Sequence, residues 1–164
     1  MRSAAGEAER LSRITNGLLL LARGDEDKLG LRLERTGVAS LLGGSAAAAR
    51  SRLAAAGLTC TVDVLSGLKA VVDTDRARAA VDALVDNALR FAASALVLAA
   101  RPAGTGGTDL AIEVRDDGPG FPAGFLPYAF ERFRRPDSGR AAAANLPEGG
   151  ARVELCFPGA IVKM

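Results

Sequence analysis

The chain has 164 residues, enough for one domain with a closed core and a short appendage, and 49% of them are apolar, which excludes a disordered composition. A formal net charge of only +2 gives no electrostatic footing for nucleic acid or a membrane surface. There is no histidine, so a histidine nucleophile, general base or metal ligand is excluded within this chain.

Residues 6 to 23 read as a helix, with Leu11, Ile14, Leu18 and Leu21 forming a narrow apolar seam. The spacing fits a helix packed on its own domain and a coiled-coil strand seeking a partner chain equally well. Gly24-Asp25-Glu26-Asp27 ends it. Leu29, Leu31 and Leu33 then alternate with Gly30, Arg32 and Glu34, the pattern of a short strand with one wet face. Val38 to Ala56 is an Ala-rich helix stopped by Gly57. Thr59 to Val64 and Lys69 to Val72 are expected to pair as a hairpin around Ser66-Gly67. Asp73 offers an N-cap, and Asp75 a first-turn acid, for a helix reaching about Ala92. Ala95 to Ala100 and Leu110 to Arg115 are strands around a Gly/Thr loop at 104 to 108. Ala141 to Asn145 and Ala151 to Phe157 close as a hairpin around Pro147-Glu148-Gly149-Gly150. Strands interleaved with three helices predict an α+β chain, a two-layer α/β sandwich with helices on one face of a mixed sheet.

Cys60 and Cys156 stand far apart in apolar runs and lack the paired spacing of a zinc site, so buried reduced thiols are expected. The apolar run Leu18 to Ala22 falls far short of the roughly 20 residues that a membrane span needs. Met1-Arg2-Ser3 has no signal-peptide core behind it. A soluble, cytoplasmic chain is expected, with anchoring of its parent protein in the inner membrane left open.

Three segments carry residues suited to chemistry. In Val81 to Ala92, Asp86 and Asn87 lie beside an apolar stripe of Val81, Leu84, Ala88 and Phe91, and Arg90 follows Asn87 on the same side. An amide oxygen suits a hard cation such as Mg²⁺, and a guanidinium suits phosphate. The plain alternative is an amphipathic helix with a solvated face. In Ile112 to Phe121 a strand runs into Asp116-Asp117-Gly118-Pro119-Gly120, where glycines admit a flat ligand and a carboxylate can accept from an exocyclic amine. The plain alternative is an ordinary turn. In Phe130-Glu131-Arg132-Phe133 two aromatics share a helical face; the plain alternative is a short surface helix pinned by them.

In this order the segments resemble the N box, first glycine box and F box of the histidine-kinase ATP-binding domain. That domain belongs to a superfamily shared with DNA gyrase, a heat-shock chaperone family and the mismatch-repair ATPases. Glu7 to Asp27 resembles the second helix of the kinase dimerisation hairpin and its linker. The resemblance spans about residues 6 to 157. It implies a Bergerat-type ATP-binding fold over 28–164, preceded by a partial dimerisation helix and linker over 1–27. It implies that Asn87 coordinates Mg²⁺ after Asp86, that Arg90 reaches phosphate, and that Phe91 lies near the base. Asp116 would read the adenine amine with Gly118 and Gly120 as its paired glycines, and Phe130 and Phe133 would stand at the root of the ATP lid. ATP or ADP, a second copy bound through the first helix, and the parent kinase's response regulator are the implied partners; nucleic acid is not.

The departures are equally informative. Ala83 fills a position one turn before Asn87 that is often polar in the family. The phosphoacceptor histidine is missing. After the F box the family continues with a lid, a second glycine motif and a helix, whereas Ser138-Gly139-Arg140 passes directly into Ala141 to Asn145. The resemblance therefore implies that some tens of residues of the family pattern are missing between about Pro136 and Gly139, by a deletion or because a stretch was left out. No residue of this chain is expected to act as a catalytic group. The expected function is the ATP-binding domain of a sensor histidine kinase, transferring phosphoryl from Mg-ATP to a histidine elsewhere. A catalytically dead binding or interaction fragment and an anti-sigma-factor serine kinase are the alternatives.

Overall fold

The computed structural model describes residues 30–122, 124–126 and 140–162. The N-terminal helix expected over 6–23 and the aromatics Phe130 and Phe133 lie outside these residues.

Strand β1 (Leu33–Gly37) pairs antiparallel with β3 (Lys69–Asp73) in a two-stranded ribbon. The leucines expected to point inward do not. Leu31 is 43% exposed and Leu33 60% exposed, and the buried residue of the strand is Thr36. Its register places Thr36 opposite the buried Ala70, and a shift of one residue exchanges the two faces of a strand. Thr36 also meets the Thr74 hydroxyl.

Helix α1 (Val38–Ala55) buries Val38, Leu41, Leu42, Ser45, Ala49 and Leu53. These positions fall three or four apart and so line one face. Its end is a Schellman motif: Leu58 N–H donates to the Leu53 carbonyl at 2.9 Å and Gly57 N–H to that of Ala54 at 3.1 Å. Gly57 takes the left-handed conformation this requires, with φ at 67°. Helix α2 (Thr74–Phe91) is capped by Asp73, whose carboxylate accepts from Arg76 N–H at 3.1 Å. It buries Ala77, Ala80, Val81, Leu84, Val85, Asn87 and Ala88.

The main sheet has five strands in the order β2-β4-β5-β7-β6. They are β2 (Thr59–Val64), β4 (Ala95–Ala103), β5 (Asp109–Asp116), β6 (Arg140–Asn145) and β7 (Ala151–Phe157). Leu96, Leu98, Leu110, Ile112, Val114, Val153 and Leu155 join the helices in one closed core. Burying each large aliphatic side chain favours the fold by about 1.5–3 kcal/mol before entropy is counted. The mixed α+β sandwich expected from the alternation of elements is the observed architecture, and the hairpin β6–β7 pairs as expected.

The expected hairpin of β2 and β3 is not formed. The turn between them exists, with Leu68 N–H donating to the Leu65 carbonyl at 3.1 Å, but the two strands separate into different sheets. β2 runs parallel to β4, Thr59 opposite Ala95, and β3 takes β1 as its partner. The C-terminal tail also meets β3, through Val71 N–H to the Ala160 carbonyl at 2.7 Å. Both strands thus gain long-range partners that a local hairpin would deny them. The cysteines are not in the closed core either. Both are partly exposed, Cys60 on the edge strand β2 and Cys156 on β7, and partial burial pushes the Cys60 thiol up from its ordinary value.

Candidate functional site

Strand β5 lies between β4 and β7, so its last residue, Asp116, is flanked on both sides by Leu96 and Ala151 and is only 6% exposed. One oxygen of its carboxylate accepts from Gly118 N–H at 2.9 Å. The chain then passes hard against the end of α2. A Cβ on Gly118 would stand 2.0 Å from the Phe91 carbonyl oxygen, a separation no side chain can hold. Glycine is therefore required here by close approach, and that approach brings Phe91, Asp116 and Gly118 into one place.

Asp117 secures the same junction. Its carboxylate accepts from Ala93 N–H at 2.9 Å, from Ser94 N–H at 2.9 Å, from Ala95 N–H at 3.0 Å and from the Ser94 hydroxyl. These donors, the Ser94 hydroxyl foremost, hold the carboxyl well below the usual carboxylate range. The turn from α2 into β4 is thus tied to the glycine loop by a charge-assisted cluster.

Gly120 adopts φ 76°, and a Cβ there would stand 2.7 Å from Asn145 Oδ1 and 3.1 Å from the Gly150 carbonyl. Asn145 receives Phe121 N–H at 2.6 Å and donates to the Phe121 carbonyl at 2.9 Å. Gly150, at φ 104°, lies so near the Asp116 carbonyl that a Cβ would sit 2.0 Å from its oxygen. Phe121 is buried and stacks on Phe125 with ring centroids 5.6 Å apart.

On α2, Asn87 is 3% exposed, and its Oδ1 is a buried acceptor with no hydrogen-bond partner among the described residues. An unsatisfied buried acceptor costs about 1–3 kcal/mol, so a ligand that supplied positive charge or a donor would stabilise the position. That fits an oxygen ligand to a hard cation. Phe91 is four residues on, one turn further along the same side, and Arg90 is exposed beside it. Asp86 goes elsewhere: its carboxylate makes an ion pair with Arg52 on α1. Ala83 stands half-buried one turn before Asn87 and offers no polar group. Among the described residues no cluster of three metal-ligating His, Cys, Asp or Glu side chains occurs, so a cation here would rest on the amide and on its own ligand's oxygens.

Of the residues singled out in the sequence, Phe91, Asp116 and Gly118 come together here, with Asn87 one turn away on α2; Asp117, Asn145 and Gly150 join them without having been singled out. The Asp-Asp pair and the Gly-Gly pair were visible signals. Their partners were not, because those lie more than twenty residues away along the chain.

Residues 72–156 match the family of histidine kinase-, DNA gyrase B- and HSP90-like ATPases. A probable sensor histidine kinase of Mycobacterium tuberculosis (strain CDC 1551 / Oshkosh) is 33% identical over 180 positions, covering 96% of this chain and 46% of the relative. A sensor histidine kinase component from strain H37Rv of the same organism is 33% identical over 130 positions, 66% of this chain and 76% of the relative. The chain belongs to the histidine-kinase-type ATPase family. Its fold is shared with full-length ShkA in complex with AMPPNP, at a TM-score of 0.72 and 22% identity, covering 94% of this chain and 36% of that one. As a histidine-kinase-type ATP-binding domain, the chain spans about half the length of the first of these relatives. That match also runs over 180 positions although this chain contributes 96% of its 164 residues, so the relative carries residues within the matched stretch that this chain lacks. Among the described residues no helix is long and apolar enough to cross a membrane.

Proposed function

We propose that this chain holds Mg-ATP for a two-component sensor kinase and, as it stands, binds nucleotide without transferring phosphate. The observation that carries the reading is the orphaned Asn87 oxygen, buried one turn before the α2 residue against which the glycine loop packs. Asp116 accepts the exocyclic amine of adenine, Gly118 and Gly120 let the loop close on Phe91 and Asn145 at the base, and Phe91 lies beside it. Asn87 holds Mg²⁺, and Arg90 reaches the phosphates. When bound, Mg²⁺ neutralises phosphate oxygens during transfer. Asp86 is left out of the binding set because Arg52 already engages it. Phe130 and Phe133 are assigned to the root of the lid.

The phosphoryl acceptor is a histidine of another domain or chain, since this one has none. Phosphoryl transfer depends on positioning and charge stabilisation, and the residues that relatives carry in addition are assigned to the lid and phosphate cradle after Pro136. The apolar seam of Leu11, Ile14, Leu18 and Leu21 pairs with a second copy, and the response regulator is met through the parent kinase.

Calorimetry tests the site. Asp116→Asn should weaken ADP binding by about 1–3 kcal/mol, the loss when one partner of a buried hydrogen bond is removed. Unchanged affinity in a folded variant would remove Asp116 from the site. Incubation with labelled ATP and a histidine-bearing dimerisation domain should give no labelling. Stoichiometric labelling would show the chain to be a competent kinase.

A further inference from the structure

We propose that Asn145, at the end of strand β6 and outside every motif that binds nucleotide in the reading above, is a positioning residue for the base pocket. The proposal rests on the reading of Asp116 as the carboxylate that meets the adenine amine.

Asn145 ends an edge strand and is exposed as a residue, where an amide would ordinarily turn to water. Instead both ends of its amide engage one residue. Oδ1 accepts from Phe121 N–H at 2.6 Å and Nδ2 donates to the Phe121 carbonyl at 2.9 Å. Phe121 lies outside the strands, so this pair stands where a ladder rung would otherwise be. Only a side chain with a donor and an acceptor side by side can do this; a carboxylate only accepts and an ammonium only donates.

The consequence falls on the four residues between Asp116 and Phe121. One end of that stretch is fixed by β5, the other by Asn145. Two of the four are glycines, whose backbone otherwise ranges widely and costs the most entropy to order. With Phe121 fixed, Gly120 is wedged between Asn145 Oδ1 and the Gly150 carbonyl. Gly118 N–H is then presented to the Asp116 carboxylate at 2.9 Å. The hairpin β6–β7 thus sets the orientation of a carboxylate that belongs to β5. A loop ordered before the ligand arrives spares that cost at binding.

A structural role alone would lower stability and leave base discrimination intact. A positioning role predicts that discrimination falls. The full chain, Asn145→Ala, Asn145→Ser and Asp116→Asn are compared for binding of ADP and of inosine diphosphate, which lacks the 6-amino group. The wild-type chain should prefer ADP. Asn145→Ala should weaken ADP about tenfold, because the glycine loop must then be ordered when the base binds, and inosine diphosphate far less. Asn145→Ser, with one hydroxyl, should fall between. Amide exchange at Phe121 should quicken in both variants while the amides of α2 and β4 stay protected. A folded Asn145→Ala that keeps the wild-type ADP preference would overturn the proposal. So would the unfolding of both Asn145 variants, since Asn145 would then serve folding alone. If the wild-type chain shows no ADP preference, or Asp116→Asn leaves that preference unchanged, it is the Asp116 reading that fails, and Asn145 loses its role with it.

Discussion

Asp116 and Asn87 each carry a polar group into a buried place, but the two are held very differently. Around Asp116 the constraints overlap: Gly118 against Phe91, Asp117 across the turn at 93–95, Asn145 on Phe121, and Gly150 against the Asp116 carbonyl. Around Asn87 the described residues supply helix packing and leave its oxygen without a partner. In the proposed reading the protein itself finishes the base end, and the metal end is left for its ligand to finish. A site built in this way should keep hold of a base while holding phosphates loosely.

The largest effect is expected where the base end is most crowded. Gly150→Ala must place a methyl group against the Asp116 carbonyl and adopt φ 104°, which an L-residue rarely does. It should cost about 3 kcal/mol or more, read as a fall in the urea midpoint, and ADP binding should fall with it. Gly149→Ala also has positive φ but meets nothing within 4 Å, so it should be the milder change. Equal losses at the two positions would mean that backbone strain, and not the Asp116 contact, dominates.

A smaller effect tests the link between the two ends. Asp117 is exposed, so solvent screens its charge, and Asp117→Ala should cost on the order of 1–2 kcal/mol at neutral pH. The sign with pH follows from its lowered pKa. In the unfolded chain the carboxyl titrates near its ordinary value of about 3.9. In the folded chain it titrates well below that. Its stabilisation is therefore complete above the unfolded value and is lost as pH falls through the folded one. Asp73 adds to the same slope. Partial burial raises its pKa, but the Arg76 and Arg32 amides, with the two guanidinium charges, outweigh that and hold it low. The gap between wild type and Asp117→Ala in urea melts should narrow steadily as pH falls below about 5 and still be narrowing at the lowest pH at which the chain folds. A gap constant over that range would show that Asp117 acts by packing and not by charge.

The smallest effect is expected at Asn87, with an unusual sign. Asn87→Leu removes a buried acceptor that has no partner among the described residues, so the ligand-free chain should gain stability or hold level, by up to about 1 kcal/mol. The extra stabilisation that Mg²⁺ brings to nucleotide-bound chain should vanish in the same variant. Thermal melts with ADP, with and without Mg²⁺, separate the two. A ligand-free chain that loses several kcal/mol would mean that Asn87 has a structural partner and that the metal end is finished after all.

Much of this molecule could be read from its residues alone, because the signals were local. Asp73 capping α2 and Gly57 closing α1 follow from contacts within a few residues. Asn87, Asp116, Gly118 and Gly120 were named because their types and order suit a nucleotide. What the sequence could not decide was partnership over distance. The turn at Ser66-Gly67 looked like a hairpin, but β2 found β4 and β3 found β1, since a strand's partner is set by which apolar faces the whole core can bury together. Leu33 of β1, expected inward, is exposed for the same reason, as register is fixed by the partner strand and not by the strand itself. Asp86 looked like a companion to Asn87 until α1 brought Arg52 to it. Asn145 carried no signal toward nucleotide, and Gly149-Gly150 read only as part of a turn. Their contacts with Phe121 and Asp116 exist only once β7 has aligned with β5, because hydrogen bonds and close approaches act over a few ångströms of space, whatever the separation along the chain.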